Sequence, residues 1–334
     1  MKCMLLFEPA PIETSPLKYS DIDIPRVGPR EVLIKVSACG VCHSNLHMIE
    51  GDWLDMGVPA KSPIVPGHEV TGTVDEVGND VKNIVRGDKV GVQPLFDTCG
   101  ICEPCLTGRE NVCDKAQITG ETVDGGYAQF MKAAGAHVYL LPDNLEPVSA
   151  APLFCPGLTA YKAVTRAEPL LGKSLAVFGI GGVGHMAVQF AKLGGAKVIG
   201  VSRSSEHLRL AKEVGADAVF SSQEKDFVRN MGQVDSSIVF APSDEYVSLA
   251  AKVTKKGGIV VIGVRASLRD FPFSREIAVK GTAIGTRIDM QNVLKIASQG
   301  LVHVETNVYN LSDANDVLLR LKKSEIYGRA VLVP

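Results

Sequence analysis

Four cysteines spaced C-x2-C-x2-C-x7-C, at Cys99, Cys102, Cys105 and Cys113, constrain this chain more than any other feature. Thiolates gathered that tightly in one loop saturate a tetrahedral Zn²⁺ and leave no open coordination position, so the motif predicts a structural metal site. Any metal that takes part in chemistry must then be held elsewhere. Cys42, His68 and Cys155 offer a second set. They stand far apart and match no compact finger, as expected of a site assembled by tertiary folding. Eight cysteines could instead form four disulfides, but 334 residues with 46% hydrophobic content can build a core without such staples. The C-x2-C-x2-C spacing also favours metal. Cys3 and Cys39, the two left over, lie in or beside strand-like runs and read as small buried hydrophobes. Reduced thiols of this kind predict a cytoplasmic protein.

Charge and hydropathy exclude several classes. A formal net charge of −2 provides no basic field for nucleic acid and no polybasic membrane patch. The longest apolar runs, such as Ile259–Val264, are interrupted by glycine well short of the ~20 residues needed to span a bilayer. The N-terminal Met1–Phe7 run is too short for a signal peptide and is followed at once by Glu8-Pro9, so it reads as a first strand.

Two rhythms divide the chain. Residues 1–152 are β-rich: Glu31–Ser37, Val70–Gly78, Asp88–Val92 and the stretch from Tyr127 to Leu141 combine β-branched residues, partial alternation and glycine boundaries. No strict strand–helix alternation occurs there, which predicts a partly open, barrel-like domain with few helices. Residues 153–288 behave differently. The strand-like segments Leu175–Phe178, Lys197–Val201, Asp217–Phe220, Ser236–Phe240 and Gly258–Ile262 alternate with helical or loop segments, predicting an α/β doubly wound parallel sheet. Residues 289–334 carry a helix, a strand, a helix and a last strand, Arg329–Val333, and are expected to return to the first domain.

Gly179-Ile180-Gly181-Gly182-Val183-Gly184 follows a predicted strand and opens a helix whose apolar positions Val183, Met186, Ala187, Phe190 and Ala191 recur at helical spacing. In a dinucleotide loop the first glycine allows a tight turn, the second lets backbone approach a pyrophosphate, and the third lets helix and strand pack closely. The helix N-terminus supplies unpaired N–H groups for phosphate. An acidic residue at the end of the next strand would bind a ribose 2′-hydroxyl. This chain has Ser202 and Arg203 there, a hydrogen-bond donor and a partner for a 2′-phosphate, so NADP(H) is favoured, with NAD(H) possible.

Cys39-Gly40-Val41-Cys42-His43-Ser44-Asn45-Leu46-His47, Pro66-Gly67-His68-Glu69, Phe154-Cys155-Pro156-Gly157-Leu158-Thr159, the four-cysteine loop and the glycine-rich turn occur together and in order. In this combination the chain resembles the zinc-dependent medium-chain alcohol dehydrogenases over essentially its whole length. The resemblance implies a GroES-like barrel domain joined to a Rossmann domain. It implies a catalytic zinc on Cys42, His68 and Cys155, with Glu69 as an acidic neighbour able to enter the metal shell. It further implies a proton relay beginning at Ser44 and reaching His47 through the nicotinamide ribose. His43 would lie against the pyrophosphate, Thr159 near the nicotinamide amide, and Arg329 where it reaches the pyrophosphate and pairs with Glu69. Trp53, Phe154 and residues near Arg265–Leu268 are expected in the substrate pocket.

The chemistry follows from the metal: Zn²⁺ is a Lewis acid that favours an alkoxide, or in reverse polarises a carbonyl, so that hydride can pass to or from a nicotinamide. A primary or secondary alcohol, or the matching aldehyde or ketone, is the expected substrate, handled by a homodimer or homotetramer with two zincs per subunit. One departure stands out. The family usually has Asp after the relay hydroxyl, supporting the zinc-bound histidine; this chain has Asn45, which raises ligand basicity less than a carboxylate does. The alternatives are a zinc-free quinone-reductase relative, disfavoured by the two metal motifs, and a nucleotide- and zinc-binding redox sensor with little activity.

Overall fold

The computed structural model describes residues 1–168 and 170–334, and the chain forms two compact units. The first comprises Met1–Cys155, Thr286–Gln299 and Val304–Pro334; the second comprises Pro156–Gly285 with Gly300–His303. The boundary falls directly after Cys155, three residues later than the sequence rhythm places it. The return to the first unit begins at Thr286, where a threonine cap accepts the Asp289 N–H and starts helix Arg287–Ser298.

The first unit is built around the ten-residue strand Glu31–Gly40. Its hydrophobic residues Val32, Ile34, Val36, Cys39 and the neighbouring Val41 are buried in one core with Val70, Val74, Val90, Met131 and Leu332. Fully burying a side chain of this size stabilises the fold by about 1.5–3 kcal/mol. The seven-stranded sheet runs Thr306–Asn310, Arg329–Val333, Glu31–Gly40, Glu69–Val77, Lys89–Val92 and Val138–Leu140, with Phe130–Ala134 also paired to Glu31–Gly40. Two register shifts, at Leu33/Ile34 and Val36/Ala38, let the long strand bend so that it serves three partners. The Tyr127–Leu141 stretch is two strands rather than one. The 3-10 turn Gly135–His137 separates them because Phe130–Ala134 pairs with Glu31–Gly40 whereas Val138–Leu140 pairs with Lys89–Val92.

The second unit is a six-stranded parallel sheet in the order Ala218–Ser221, Lys197–Ser202, Ser174–Phe178, Val234–Val239, Thr254–Ile262, Ala278–Gly281. In chain sequence this is 3-2-1-4-5-6, and it reverses beside Ser174–Phe178, where open α/β sheets bind ligands at the carboxyl ends of their strands. The alternating sequence pattern is legible because parallel strands are buried on both faces: Leu175, Ala176, Val177 and Phe178 are all fully buried. No helix among the described residues is long and apolar enough to cross a membrane.

Asp235 pins this sheet at its first residue pair. Its carboxylate accepts from the Ser174 backbone N–H (2.8 Å) and hydroxyl (2.7 Å) and from the Lys255 ammonium (2.9 Å). Burial alone would raise the carboxyl; these donors outweigh it and hold Asp235 well below the usual carboxylate range. A group depressed in the folded state contributes stability above its unfolded pKa, about 4, and loses it as pH falls toward the folded value. Asp235→Asn is therefore expected to lower the unfolding free energy by about 1–3 kcal/mol at pH 7. Denaturant titrations should show the gap between variant and wild type narrowing below about pH 4.

Candidate active site

The first unit holds two groups of metal-ligating side chains: Cys99, Cys102, Cys105 and Cys113, and Cys42, His68, Glu69 and Cys155, with the ligand atoms of each group within 4.8 Å of one another. In the loop group, Cys99 Sγ lies 3.9 Å from Cys105 Sγ and 3.6 Å from Cys113 Sγ. Backbone N–H groups of Ile101 and Cys102 pull the Cys99 thiol down to about 6, toward the thiolate that binds metal. The lobe is tied to helix Arg287–Ser298 by buried Glu110, which accepts the Arg287 backbone N–H at 2.7 Å. Four sulfur donors in a closed loop suit a structural zinc.

Residues of the second group come from three places in the fold. Cys42 stands at the N-cap of helix His43–Glu50, where the helix dipole favours a thiolate. His68 precedes strand Glu69–Val77, and Cys155 follows the 3-10 turn Ala151–Phe154. Cys42 Sγ and Cys155 Sγ are 3.8 Å apart. The close contact with Cys155 favours ionisation of one sulfur of the pair and holds the Cys42 thiol far below its ordinary value. Such a pair of sulfurs beside an imidazole, all buried, fits the three-ligand donor set that leaves a bound metal one open position.

Glu69 and Arg329 close the base of the site. Strand Arg329–Val333 pairs with Glu31–Gly40, Gly40 pairs with Glu69, and the Arg329 guanidinium donates to Glu69 Oε1 in an ion pair only 3% and 0% exposed. Gly40 makes room for it: a Cβ there would lie 2.0 Å from Glu69 Oε2. That second oxygen and Arg329 Nε have no hydrogen-bond partner, so the buried carboxylate keeps a lone pair free within the donor group. Burial drives the Glu69 carboxyl up, against the pull of Arg329.

Helix His43–Glu50 carries the polar residues beside this group. Ser44 Oγ is 3.3 Å from His68 Nε2. One turn further on, His47 donates from Nδ1 to Asp52 Oδ2 at 2.7 Å, and its ring lies 5.5 Å from that of Trp53. His43 is exposed at the first helical position. Phe154 lies deep. Its ring is fully buried, 6.2 Å from Tyr139 and stacked where Gly91 has no side chain, so it packs the core rather than forming an open wall. Residues Val264, Ala266 and Leu268 pack on the core of the second unit, with Arg265 exposed.

Further polar side chains gather about the His68 ring. Asn45 Nδ2 lies 3.4 Å from His68 Nδ1 while its Oδ1 accepts from the buried Tyr127 hydroxyl, and Glu121 Oε1 lies 3.7 Å from the same Nδ1. Burial raises the Glu121 carboxyl to about 7. Only the convergence of distant segments reveals Tyr127 and Glu121; Asp52 is foreshadowed only by its adjacency to Trp53.

In the second unit the three glycines each face a different demand. Gly179 has φ +93°, and a Cβ there would lie 2.7 Å from the Ala241 nitrogen. A Cβ on Gly184 would lie 2.0 Å from the Gly179 carbonyl oxygen, whereas Gly181 faces open space. The turn leads into helix Gly184–Leu193, whose N-terminus has no side-chain cap and can offer its N–H groups to a pyrophosphate. Gly182 and Val183 complete the loop, and Thr159 lies half-buried on helix Pro156–Arg166. Ser202 is buried at the end of its strand, accepting the Ser204 N–H at 3.2 Å, and Arg203 is exposed beside it.

Comparison with known proteins agrees with this geometry. Residues 28–143 match the alcohol dehydrogenase GroES-like domain family and residues 182–299 the zinc-binding dehydrogenase family. An alcohol dehydrogenase of Geobacillus stearothermophilus is 40% identical over 328 residues, covering 95% of this chain and 96% of that one. The crystal structure of the alcohol dehydrogenase of Aeropyrum pernix superimposes with a TM-score of 0.92 at 34% identity, covering all of both chains. A cobalt- and zinc-bound alcohol dehydrogenase of Pyrobaculum aerophilum gives 0.91 at 31% identity, covering 100% of this chain and 99% of that one. From its two-unit fold, its metal donor groups and its dinucleotide turn, this chain belongs to the zinc-dependent medium-chain alcohol dehydrogenases.

Proposed function

We propose that this alcohol dehydrogenase works with NADP(H) and one catalytic and one structural zinc per subunit, on primary or secondary alcohols and the matching aldehydes or ketones. The observation that carries the reading is the meeting of Cys42, His68, Glu69 and Cys155 ligand atoms within 4.8 Å. Cys42, His68 and Cys155 would hold the catalytic ion, with Glu69 able to exchange into its shell. Bound there, Zn²⁺ supplies Lewis-acid polarisation of an alcohol or carbonyl oxygen, and the nicotinamide supplies or accepts the hydride.

The chain's own residues handle the proton and the nucleotide. Ser44 Oγ, beside His68, is placed to take the proton of an alcohol or return it to a carbonyl product. His47, partly exposed and fixed through Nδ1 by Asp52, exchanges that proton with solvent at Nε2. Trp53 contributes an apolar wall next to His47. His43 and Arg329 are assigned to the pyrophosphate and Thr159 to the nicotinamide amide. NADP(H) is preferred because the second strand of the nucleotide sheet ends in Ser202-Arg203 with no acid to repel a 2′-phosphate. Eight unpaired cysteines fit a reducing, cytoplasmic setting. The assembly is assigned as a homodimer or homotetramer.

Replacing Cys42 by Ser, or His68 by Ala, should remove one zinc equivalent and cut alcohol oxidation by about a thousandfold or more, while nucleotide binding stays measurable by fluorescence titration. Retained turnover would place the chemistry at another site; a wild type that oxidises no alcohol would favour the redox-sensor alternative. Ser202→Asp should lower the NADP-to-NAD ratio of kcat/KM by about tenfold or more, through repulsion of the 2′-phosphate. An unchanged ratio would remove the cofactor assignment.

A further inference from the structure

A histidine that gives one ring nitrogen to a metal carries its proton on the other, and that N–H needs an acceptor to fix the ring and strengthen the ligand. His68 turns Nε2 toward Ser44 and Nδ1 toward two side chains, Asn45 and Glu121. Asn45 is neutral and shared. Its Oδ1 takes the proton of the buried Tyr127 hydroxyl, and in that orientation the amide turns Nδ2 to the ring. It then offers the Nδ1 proton little support. Glu121 Oε1, 3.7 Å from Nδ1, is the carboxylate facing that side of the ring.

The turn that carries Glu121 is built to hold it there. Gly120 donates to the Val123 carbonyl at 2.8 Å, Thr122 to Ile118 at 2.9 Å, and the Glu121 carbonyl accepts the Ala60 N–H at 3.0 Å. The turn lies directly on the residue before the ligand: a Cβ on Gly120 would stand 2.6 Å from the Gly67 nitrogen, and one on Gly125 would stand 2.0 Å from the Gly67 oxygen. The Glu121 side chain is only 13% exposed and pairs with no lysine or arginine among the described residues, so no other contact explains why a carboxylate is held there.

We infer that Glu121 is a positioning residue for the catalytic metal, facing the Nδ1 side of His68 as its ion-pair partner from a turn about fifty residues downstream of its ligand while the neutral Asn45 is shared with Tyr127. The inference rests on the assignment of His68 as a zinc ligand. Its test is zinc retention in the full-length holoenzyme, measured by competition with a chromogenic chelator. Glu121→Gln, which keeps the side chain's shape, should weaken the Cys42–His68–Cys155 zinc about 10–100-fold and leave the four-cysteine zinc unchanged. Glu121→Gln combined with Asn45→Asp should recover most of that loss, because a carboxylate then stands 3.4 Å from Nδ1 on the helix side. Wild-type zinc affinity in Glu121→Gln would overturn the inference. So would a loss that Asn45→Asp fails to restore, or one shared equally by the four-cysteine zinc, since either reports general damage to packing. A wild-type chain that takes up zinc only at the four cysteines would overturn the assignment of the site itself, and the role of Glu121 with it.

Discussion

The buried ion pair between Arg329 and Glu69 is the constraint on which the rest of the first unit depends. It joins residues 260 positions apart, and both are withdrawn from water. Two charges placed so deep are tolerated only together: removing one partner strands the other, at a cost of about 3–5 kcal/mol. The pair therefore requires the last strand to lie against Glu31–Gly40 in one register, since a slip by one residue would turn Arg329 to the opposite face. It also requires glycine at position 40. With those conditions met, the end of the chain forms the floor of the metal group, and the terminal segment is as much part of the site as the Cys42 motif.

The same economy of backbone appears in the nucleotide unit. Gly179, Gly181 and Gly184 look alike in sequence, yet one is required by a left-handed turn, one by a close helix-to-strand approach, and one leaves space open. Only the last can face a ligand. The order of the sheet then places this turn beside the strand at which chain order reverses, so the fold supplies both the opening and the uncapped helix N-terminus that would stabilise an anion.

What could be read from the sequence divides along physical lines. The parallel strands were legible because burial on both faces produces continuous apolar runs, and the last strand, Arg329–Val333, because Ala330, Val331 and Leu332 make a similar buried run in the first unit. Metal donors were legible because cysteine and histidine in short motifs have few other uses. The helices His43–Glu50 and Pro156–Arg166 were not, since each begins inside a motif whose residues are selected for chemistry rather than for helical periodicity. The split of the Tyr127–Leu141 run was hidden because it is decided by which strand each half pairs with. The surroundings of Phe154 were hidden for a related reason: its position beside Cys155 says nothing of Gly91, whose missing side chain admits the ring. Glu121 was invisible for the same cause, being one acid among 37 acidic residues until folding brings it to His68.

Charge balance explains why these acids are disposed as they are. Two thiolates would neutralise a divalent ion held here, and Arg329 pairs with Glu69, so the donor group with such a metal would carry no net charge to be buried. Asn45, on the Cys42 side and fully buried, is neutral and adds no charge beside the two sulfurs. Glu121 stands instead behind the imidazole, the neutral member of the donor group, with Oε1 3.7 Å from Nδ1. Its partial exposure of 13% leaves it some solvation that the fully buried Asn45 lacks. An acid held at that distance can steady the imidazole without placing further charge beside the sulfurs.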